Sequence, residues 1–305
     1  MSRPDLHPPV GAVREAVTRA LAEDLTPLGD LTSGLLPTSA RATAEFVART
    51  AGVLAGRLCA DEAFRQVDPD VTVEWVADDG GDVRAGQVLG RVDGPLASVL
   101  TGERTALNFL SHLSGIATLT RRYVDAAALA GTAQVWDTRK TTPGLRSLEK
   151  AAVRAGGGRN HRGNLSDWVM LKDNHLTVLG ITDAVATAKD RWPARTIHVE
   201  CGTFGEVAEA LRAGADALLL DNMSPGEVRA AMLMVSEHLG DGGHPCLVEA
   251  SGGIDLETIS AYAATGVDLV SVGALTNSAP VLDIGLDIAV DQTPAAPPPD
   301  DAGAH

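Results

Sequence analysis

From residue 130 onward, short apolar runs alternate with helical stretches. The runs are Ala133–Trp136, Trp168–Leu171, Ile197–Val199, Ala217–Leu220, Cys246–Ala250 and Leu269–Val272. Helical spacing covers Leu145–Ala155, Thr182–Arg191, Phe204–Arg212, Pro225–His238 and Leu256–Ala264, with one long helix, Thr105–Leu129, ahead of them. Strands that are apolar throughout are buried on both faces, so this rhythm predicts a parallel sheet covered by helices. Gly214-Ala215-Asp216 and Gly266-Val267-Asp268 read as helix caps that feed the next strand. The first hundred residues differ. A helix is expected over 11–25 and another over Leu58–Val67, and Ala42–Ala48 and Val71–Ala77 alternate like strands. Turn chemistry at Asp79–Asp82 and Ala85–Gln87 frames a further short strand, which makes this region α+β.

Each apolar run is followed by polar or glycine residues: Asp137–Lys140, Lys172–His175, Glu200, Asp221-Asn222, Ser251–Gly253 and Gly273-Ala274. In an open sheet these ends would lie along an edge, and only two or three could meet. In a barrel all of them converge on one mouth, where barrel enzymes place their sites. Six polar ends favour the barrel. The terminal stretch Asp291–His305, rich in Pro, Ala and Asp, cannot bury enough apolar surface to order itself.

Composition narrows the functional classes. Of 305 residues, 45% are apolar but only 3% aromatic, so Ala, Val, Leu and Ile must build the core. The formal net charge of −15 argues against nucleic acid or an anionic membrane as partner. No apolar run is long enough to span a bilayer, and the first ten residues lack the apolar segment of a secretory signal. Cys59, Cys201 and Cys246 are widely spaced, which fits a reducing cytoplasm and argues against zinc.

Charge is unevenly spread. Between Arg139 and Lys172 the balance is +6, so the rest of the chain carries −21. Lys150 and Arg154, four apart on a helix, read as a solvated basic face. Arg139-Lys140 and His161-Arg162 fall in Thr-, Pro- and Gly-rich loops, where charge against the global sign points to a small polyanion. Ser251-Gly252-Gly253-Ile254 and Ser271-Val272-Gly273-Ala274 let backbone N–H groups approach a phosphate, or serve only as turns. Glu200 and Asp221 suit ribose hydroxyls, a magnesium ion bridged by substrate phosphates, a developing cation, or an ion pair with Lys172. The acids around Lys172 favour an electrostatic role over Schiff-base chemistry. His161 is a candidate acid, base or anion donor. His175, His198 and His244 lack a comparable setting. There is no Walker A motif and no dinucleotide glycine pattern.

Seven blocks resemble quinolinate phosphoribosyltransferase (nicotinate-nucleotide pyrophosphorylase, carboxylating). They are Glu103–Asn108, Asp137–Arg146, Gly157–Arg162, Met170–His175, Val199–Cys201, Leu220–Met223 and Glu249–Ile254, in order and register. The resemblance spans residues 10 to 288. It implies an N-terminal α/β sandwich over 1–110 and a TIM-like α/β barrel of about six to seven parallel strands over 111–278. It also implies a segment at 279–290 that returns to the first domain, ahead of a disordered 291–305 tail. The implied reaction converts quinolinate and phosphoribosyl pyrophosphate to nicotinate mononucleotide, CO₂ and pyrophosphate, with Mg²⁺ and no organic cofactor. The implied assembly is a cytoplasmic homodimer with a shared active site.

Residue by residue, the resemblance implies that Arg139, His161 and Arg162 hold the two carboxylates, joined by Arg104 of the other subunit. Thr138 and Met170 are expected to bind substrate as well. Lys140 and Lys172 meet the phosphoribosyl pyrophosphate or the carboxylate to be lost. Glu200 and Asp221 meet ribose and metal, and Ser251, Gly252, Gly253, Val272, Gly273 and Ala274 cradle the 5′-phosphate. Two other readings stay open: a nicotinate-salvage relative that grips one carboxylate, and a non-catalytic binder of phosphate ligands.

Overall fold

A computed structural model describes residues 6–290; the expected disordered tail lies outside them. The N-terminal region runs α1 (Val10–Leu25), β1 (Arg41–Ala48), β2 (Gly52–Val53), α2 (Arg57–Val67), β3 (Thr72–Trp75), β4 (Asp82–Val83) and β5 (Val88–Pro95). The helix α3 (Leu96–Ala128) follows and carries the chain across the boundary expected at 110. Next come β6 (Gln134–Trp136), α4 (Arg146–Ala155), β7 (Val169–Leu171), α5 (Asp173–Leu179), α6 (Ile181–Arg191), β8 (Ile197–Cys201), α7 (Phe204–Ala213) and β9 (Ala217–Asp221). The chain closes with α8 (Pro225–Gly240), β10 (Leu247–Ser251), α9 (Ile259–Ala263), β11 (Leu269–Ser271), α10 (Ala274–Asn277) and β12 (Ile284–Val290).

Two main sheets result. Strands β12-β1-β5-β3 form an antiparallel sheet, and β6-β11-β10-β9-β8-β7 form a parallel one with a helix between most successive strands. Trp136 also bridges in parallel to Arg159, so the segment leading to His161 lies beside β6 as a partial seventh strand. The fold is the expected TIM-like barrel beside an antiparallel α+β layer. Strand β12 pairs along β1 from Ile284↔Ala48 to Val290↔Ala42, which brings the end of the described chain back to the first sheet.

The two Gly-x-Asp segments set strand register, although only Gly214 caps a helix; Gly266 lies two residues past Ala264, the cap of α9. Gly214 and Gly266 take positive φ, and each following aspartate then accepts a strand N–H: Ile197 N to Asp216 Oδ2 and Val248 N to Asp268 Oδ2, both at 2.7 Å. Helix α3 starts nine residues earlier than its pattern predicts. Gly102 lowers helix propensity there, but it lets the helix lie against the Phe64 ring, and tertiary packing overrides the propensity. Leu110 and Ile116 of α3 are fully buried, each worth about 2 kcal/mol. At Gly115 a Cβ would stand 2.1 Å from the Pro280 carbonyl, so the returning chain can cross α3 only at a glycine.

The solvated face assigned to Lys150 is corrected. Lys150 is buried, pairs with Asp137, and donates to the His161 carbonyl at 3.0 Å. Arg154 donates to the His7 carbonyl at 3.0 Å. All three cysteines are free, and burial pushes each thiol up to about 12, so none is a ready nucleophile.

Candidate active site

Alternation along the strands builds the site in two tiers, because every second residue faces the barrel interior. The upper tier is Thr138, Lys172, Glu200, Asp221, Ser251 and Gly273, one from the end of each of the six strands, and all line one cavity of about 480 Å³. Two residues back along five of those strands stand Met170, His198, Leu219, Glu249 and Ser271. All but His198 of these line an adjoining hollow of about 360 Å³ that also takes in Arg139, Lys140, His161 and Arg162. The convergence expected of a barrel is therefore present.

The cationic wall is held by buried polar chemistry. Asp137, fully buried, takes Lys150 on Oδ1, the Asn160 amide on Oδ2 at 2.7 Å and the His161 N–H on Oδ1 at 2.8 Å. Burial pushes its carboxyl up, and Lys150 pulls it back. That cluster fixes the chain at 160–162. Arg146 braces the opposite side, donating to Thr141 Oγ1 at 3.0 Å and to the Gly163 carbonyl at 3.1 Å, so it supports the loops rather than a ligand. Glu149, also fully buried, accepts the Thr142 N–H at 3.1 Å and meets His112 Nε2 at 2.8 Å.

Arg139 and Arg162 face the same hollow. Burial, and then the neighbouring Arg139, push the Arg162 guanidinium below its ordinary value. Arg139 Nε is buried without a hydrogen-bond partner. Two guanidiniums held together with a buried donor unmet call for an anion. Across the mouth Lys172 pairs with Glu200, the ion pair named among the alternatives.

The glycine cradle has a steric cause. Gly252 has φ +97° and Gly253 φ +61°, and a Cβ on Gly252 would lie 2.4 Å from Asn222 Oδ1. Asn222 is itself left-handed at φ 55°, the one non-glycine with positive φ among the described residues, and its N–H donates to the Ser251 carbonyl at 3.0 Å.

Two expected residues stand apart. Val272 is corrected: its side chain is in the core and its N–H is spent on the Trp136 carbonyl at 2.9 Å, leaving Gly273 and Ala274 to line the cavity. Arg104 is exposed on α3 and lines neither hollow. Asn222, Asn277, Ser271, Glu249 and His198 were missed. The signal for the last two was a charged or titratable residue in the middle of an apolar strand. His161, His198 and Glu249 lie within 4.8 Å of one another at their polar atoms. Burial pushes the His198 imidazole down. Burial pushes the Glu249 carboxyl up, but the His161 bond, the imidazole charges and Ser271 outweigh it and hold it below its ordinary value.

A barrel mouth with a cationic wall, a glycine cradle and two carboxylates defines a barrel enzyme that handles an anionic phosphosugar. The comparisons sharpen this. Residues 30–114 match the quinolinate phosphoribosyl transferase N-terminal domain, and residues 116–287 match its C-terminal domain. A Bacillus subtilis protein described as a probable nicotinate-nucleotide pyrophosphorylase (carboxylating) is 41% identical over 265 residues, covering 85% of this chain and 88% of its own. A Nicotiana tabacum mitochondrial quinolinate phosphoribosyltransferase (decarboxylating) is 38% identical over 302 residues, covering 94% and 84%. The solved nicotinate-nucleotide pyrophosphorylase from Francisella tularensis superposes with a TM-score of 0.87 at 36% identity, covering 95% of this chain and 100% of that one. The chain belongs to the quinolinate phosphoribosyltransferase family. No helix among the described residues is long and apolar enough to cross a membrane.

Proposed function

We propose that this protein transfers a phosphoribosyl group to quinolinate with loss of CO₂, yielding nicotinate mononucleotide and pyrophosphate. The observation that carries this is the shared hollow of Arg139, His161, Arg162 and Lys172 beside the Ser251–Gly253 cradle. A pyridine diacid and a polyphosphorylated sugar both need charge-assisted donors, each contributing about 1.5–3 kcal/mol, to replace lost water. Four cations around one hollow, Arg139, Lys140, Arg162 and Lys172, rather than one, favour the diacid over a monoacid such as nicotinate.

In this reading the sugar 5′-phosphate rests on the backbone of Ser251–Gly253 and Gly273-Ala274, and Glu200 and Asp221 hold ribose hydroxyls. As pyrophosphate leaves, positive charge grows on the ribose, and the two carboxylates stabilise it more than they stabilise the ground state. The pyridine nitrogen attacks and becomes cationic. When CO₂ departs, the electron pair of the broken bond stays on the ring carbon beside the cationic nitrogen, whose charge stabilises it until a proton from solvent forms the new C–H bond, so no organic cofactor is needed. Glu200 and Asp221 are hard oxygen donors at the open mouth and fit Mg²⁺ shared with substrate phosphates; the buried His161, His198 and Glu249 do not. The ion would neutralise the leaving pyrophosphate.

The working unit is a homodimer. Arg104 is exposed on α3, which also carries half-exposed Leu100, and Thr101 of that helix ties to Asp30 of the loop bearing exposed Leu28, Leu31 and Leu35. At the barrel rim Leu165, Val178 and Leu179 are exposed, and α5 buries no residue at all within its own chain. A seven-residue helix that packs on its own chain chiefly through half-buried Leu176 is marginal in water, so a second copy covering the rim accounts for both surfaces and delivers Arg104. Free thiols fit a reducing compartment such as the cytoplasm. The decisive assay is release of labelled CO₂ from carboxyl-labelled quinolinate, expected only with phosphoribosyl pyrophosphate present. Turnover of nicotinate with none of quinolinate overturns the reading.

A further inference from the structure

The lower tier contains a carboxylate that the transfer chemistry leaves unemployed. Glu249 sits in the middle of β10, 1% exposed, one tier beneath Ser251. Its Oε2 is 3.2 Å from His161 Nε2 and 3.5 Å from His198 Nε2. An ionised carboxylate can only accept, so the hydrogen between Glu249 and His161 belongs to Nε2. The ring's other nitrogen, Nδ1, has no partner among the described residues and is the one left for a ligand in the hollow that His161 lines.

This arrangement has a consequence for binding. In the neutral ring with hydrogen on Nε2, Nδ1 carries a lone pair and repels a carboxylate. Before it can hold one, Nδ1 must be protonated. Cations face the ring from two sides: Arg162 is adjacent on the same segment, and Arg139, Lys140 and Lys172 face the same space from beyond β6 and β7. Glu249 below, and Glu200 and Asp221 across the mouth, act in the other direction, while buried His198 closes the side toward β8. A dianion entering the hollow tips the balance.

We propose that Glu249 is a positioning residue that fixes His161 with its hydrogen on Nε2, so that capture of a pyridine carboxylate draws one proton from solvent onto Nδ1. No bond between heavy atoms is made or broken in this step. The inference rests on the quinolinate reading above, and it adds that substrate capture and proton uptake are one event.

Calorimetric titration of quinolinate into the full-length protein at pH 8, in buffers of small and large ionisation heat, measures the protons taken up. About one proton is expected, together with an affinity that falls about tenfold per pH unit above neutrality. In Glu249→Gln the amide can donate to Nε2, which moves the ring hydrogen to Nδ1. Binding should then persist with uptake near zero and a flat pH dependence, which a merely structural role for Glu249 would not produce. His161→Asn should also show no uptake, and it serves if Glu249→Gln fails to fold. Quinolinate binding to the wild type without buffer dependence, or full uptake retained in either variant, overturns the proposal. Absence of quinolinate binding by the folded wild type overturns the functional reading beneath it.

Discussion

Two ion pairs of the same chemistry stand beside β6 and β7, successive in the chain and at opposite ends of the parallel sheet, and do different work. Asp137–Lys150 and Lys172–Glu200 each join a residue just past a strand to an opposite charge. The first is sealed: neither side chain is more than 7% exposed, and the His161 N–H, the His161 carbonyl and the Asn160 amide take up the remaining polar atoms. The second is open: the Lys172 side chain is 42% exposed and lines both hollows. Desolvation makes one pair a fixed strut. Access to solvent lets the other exchange its partner for a ligand, because little stability is lost when it parts.

The largest effect should come from cutting the strut. Asp137→Ala leaves a buried ammonium without its counter-charge and should cost about 3–5 kcal/mol in denaturant unfolding. Asp137→Leu with Lys150→Met should recover most of that stability but little activity, because the His161-Arg162 segment loses its anchor. If the double variant is as active as wild type, the pair is not what positions the cationic wall.

Next comes Lys172→Met. It should lower kcat/KM about 100-fold, equivalent to about 2.7 kcal/mol of transition-state stabilisation, while changing unfolding by less than about 1 kcal/mol. A stability loss matching that of Asp137→Ala would abolish the distinction between the two pairs. Gly252→Ala lies between these extremes. The added Cβ meets Asn222 Oδ1 at 2.4 Å at a φ of +97°, so a cost of about 1–3 kcal/mol is expected. KM for phosphoribosyl pyrophosphate should rise about tenfold with little change for quinolinate, measured in steady state.

The open pair was legible in the sequence and the sealed one was not. Lys172, Glu200 and Asp221 each follow an apolar run directly, and a polar residue at that place on a parallel strand faces the barrel mouth whatever the rest of the fold does. Lys150 carries no such mark. Helical spacing shows that it shares a face with Arg154, but only the docking of α4 on the barrel reveals Asp137 waiting for it. Glu249 and His198 were hidden differently: inside apolar runs they read as core, and the inward tier that unites them with His161 exists only after the strands are in register. Strand β12 alternates Ile284, Leu286 and Ile288 as an edge strand should, yet its partner β1 lies more than 230 residues away. The family resemblance, not local pattern, foretold that return. Local chemistry thus disclosed the mouth, and long-range packing decided which charges are buried.

A third carboxylate sharpens the comparison, because its partners are neutral. Asp30 Oδ1 accepts the N–H groups of Thr32 at 3.0 Å and Ser33 at 2.9 Å, and Oδ2 accepts the hydroxyls of Ser33 at 2.6 Å and Thr101 at 2.9 Å. These donors, the Ser33 hydroxyl foremost, hold its carboxyl down at about 2 from an ordinary 3.8. The group is only partly buried, so screening keeps the effect small, and Asp30→Ala should cost about 1 kcal/mol, as for a lost helix cap. The sign follows from the depressed value: the stabilisation is complete above about pH 4 and fades as pH falls toward 2. The gap in melting temperature between wild type and Asp30→Ala should therefore stay constant from pH 7 to 5 and narrow between pH 4 and 3. A gap that widens on acidification would mean that the folded state favours the protonated carboxyl, so that this set of donors to the carboxylate does not sustain the loop carrying Leu28, Leu31 and Leu35. The rule that partners and solvent decide what a carboxylate does would then fail in its simplest case.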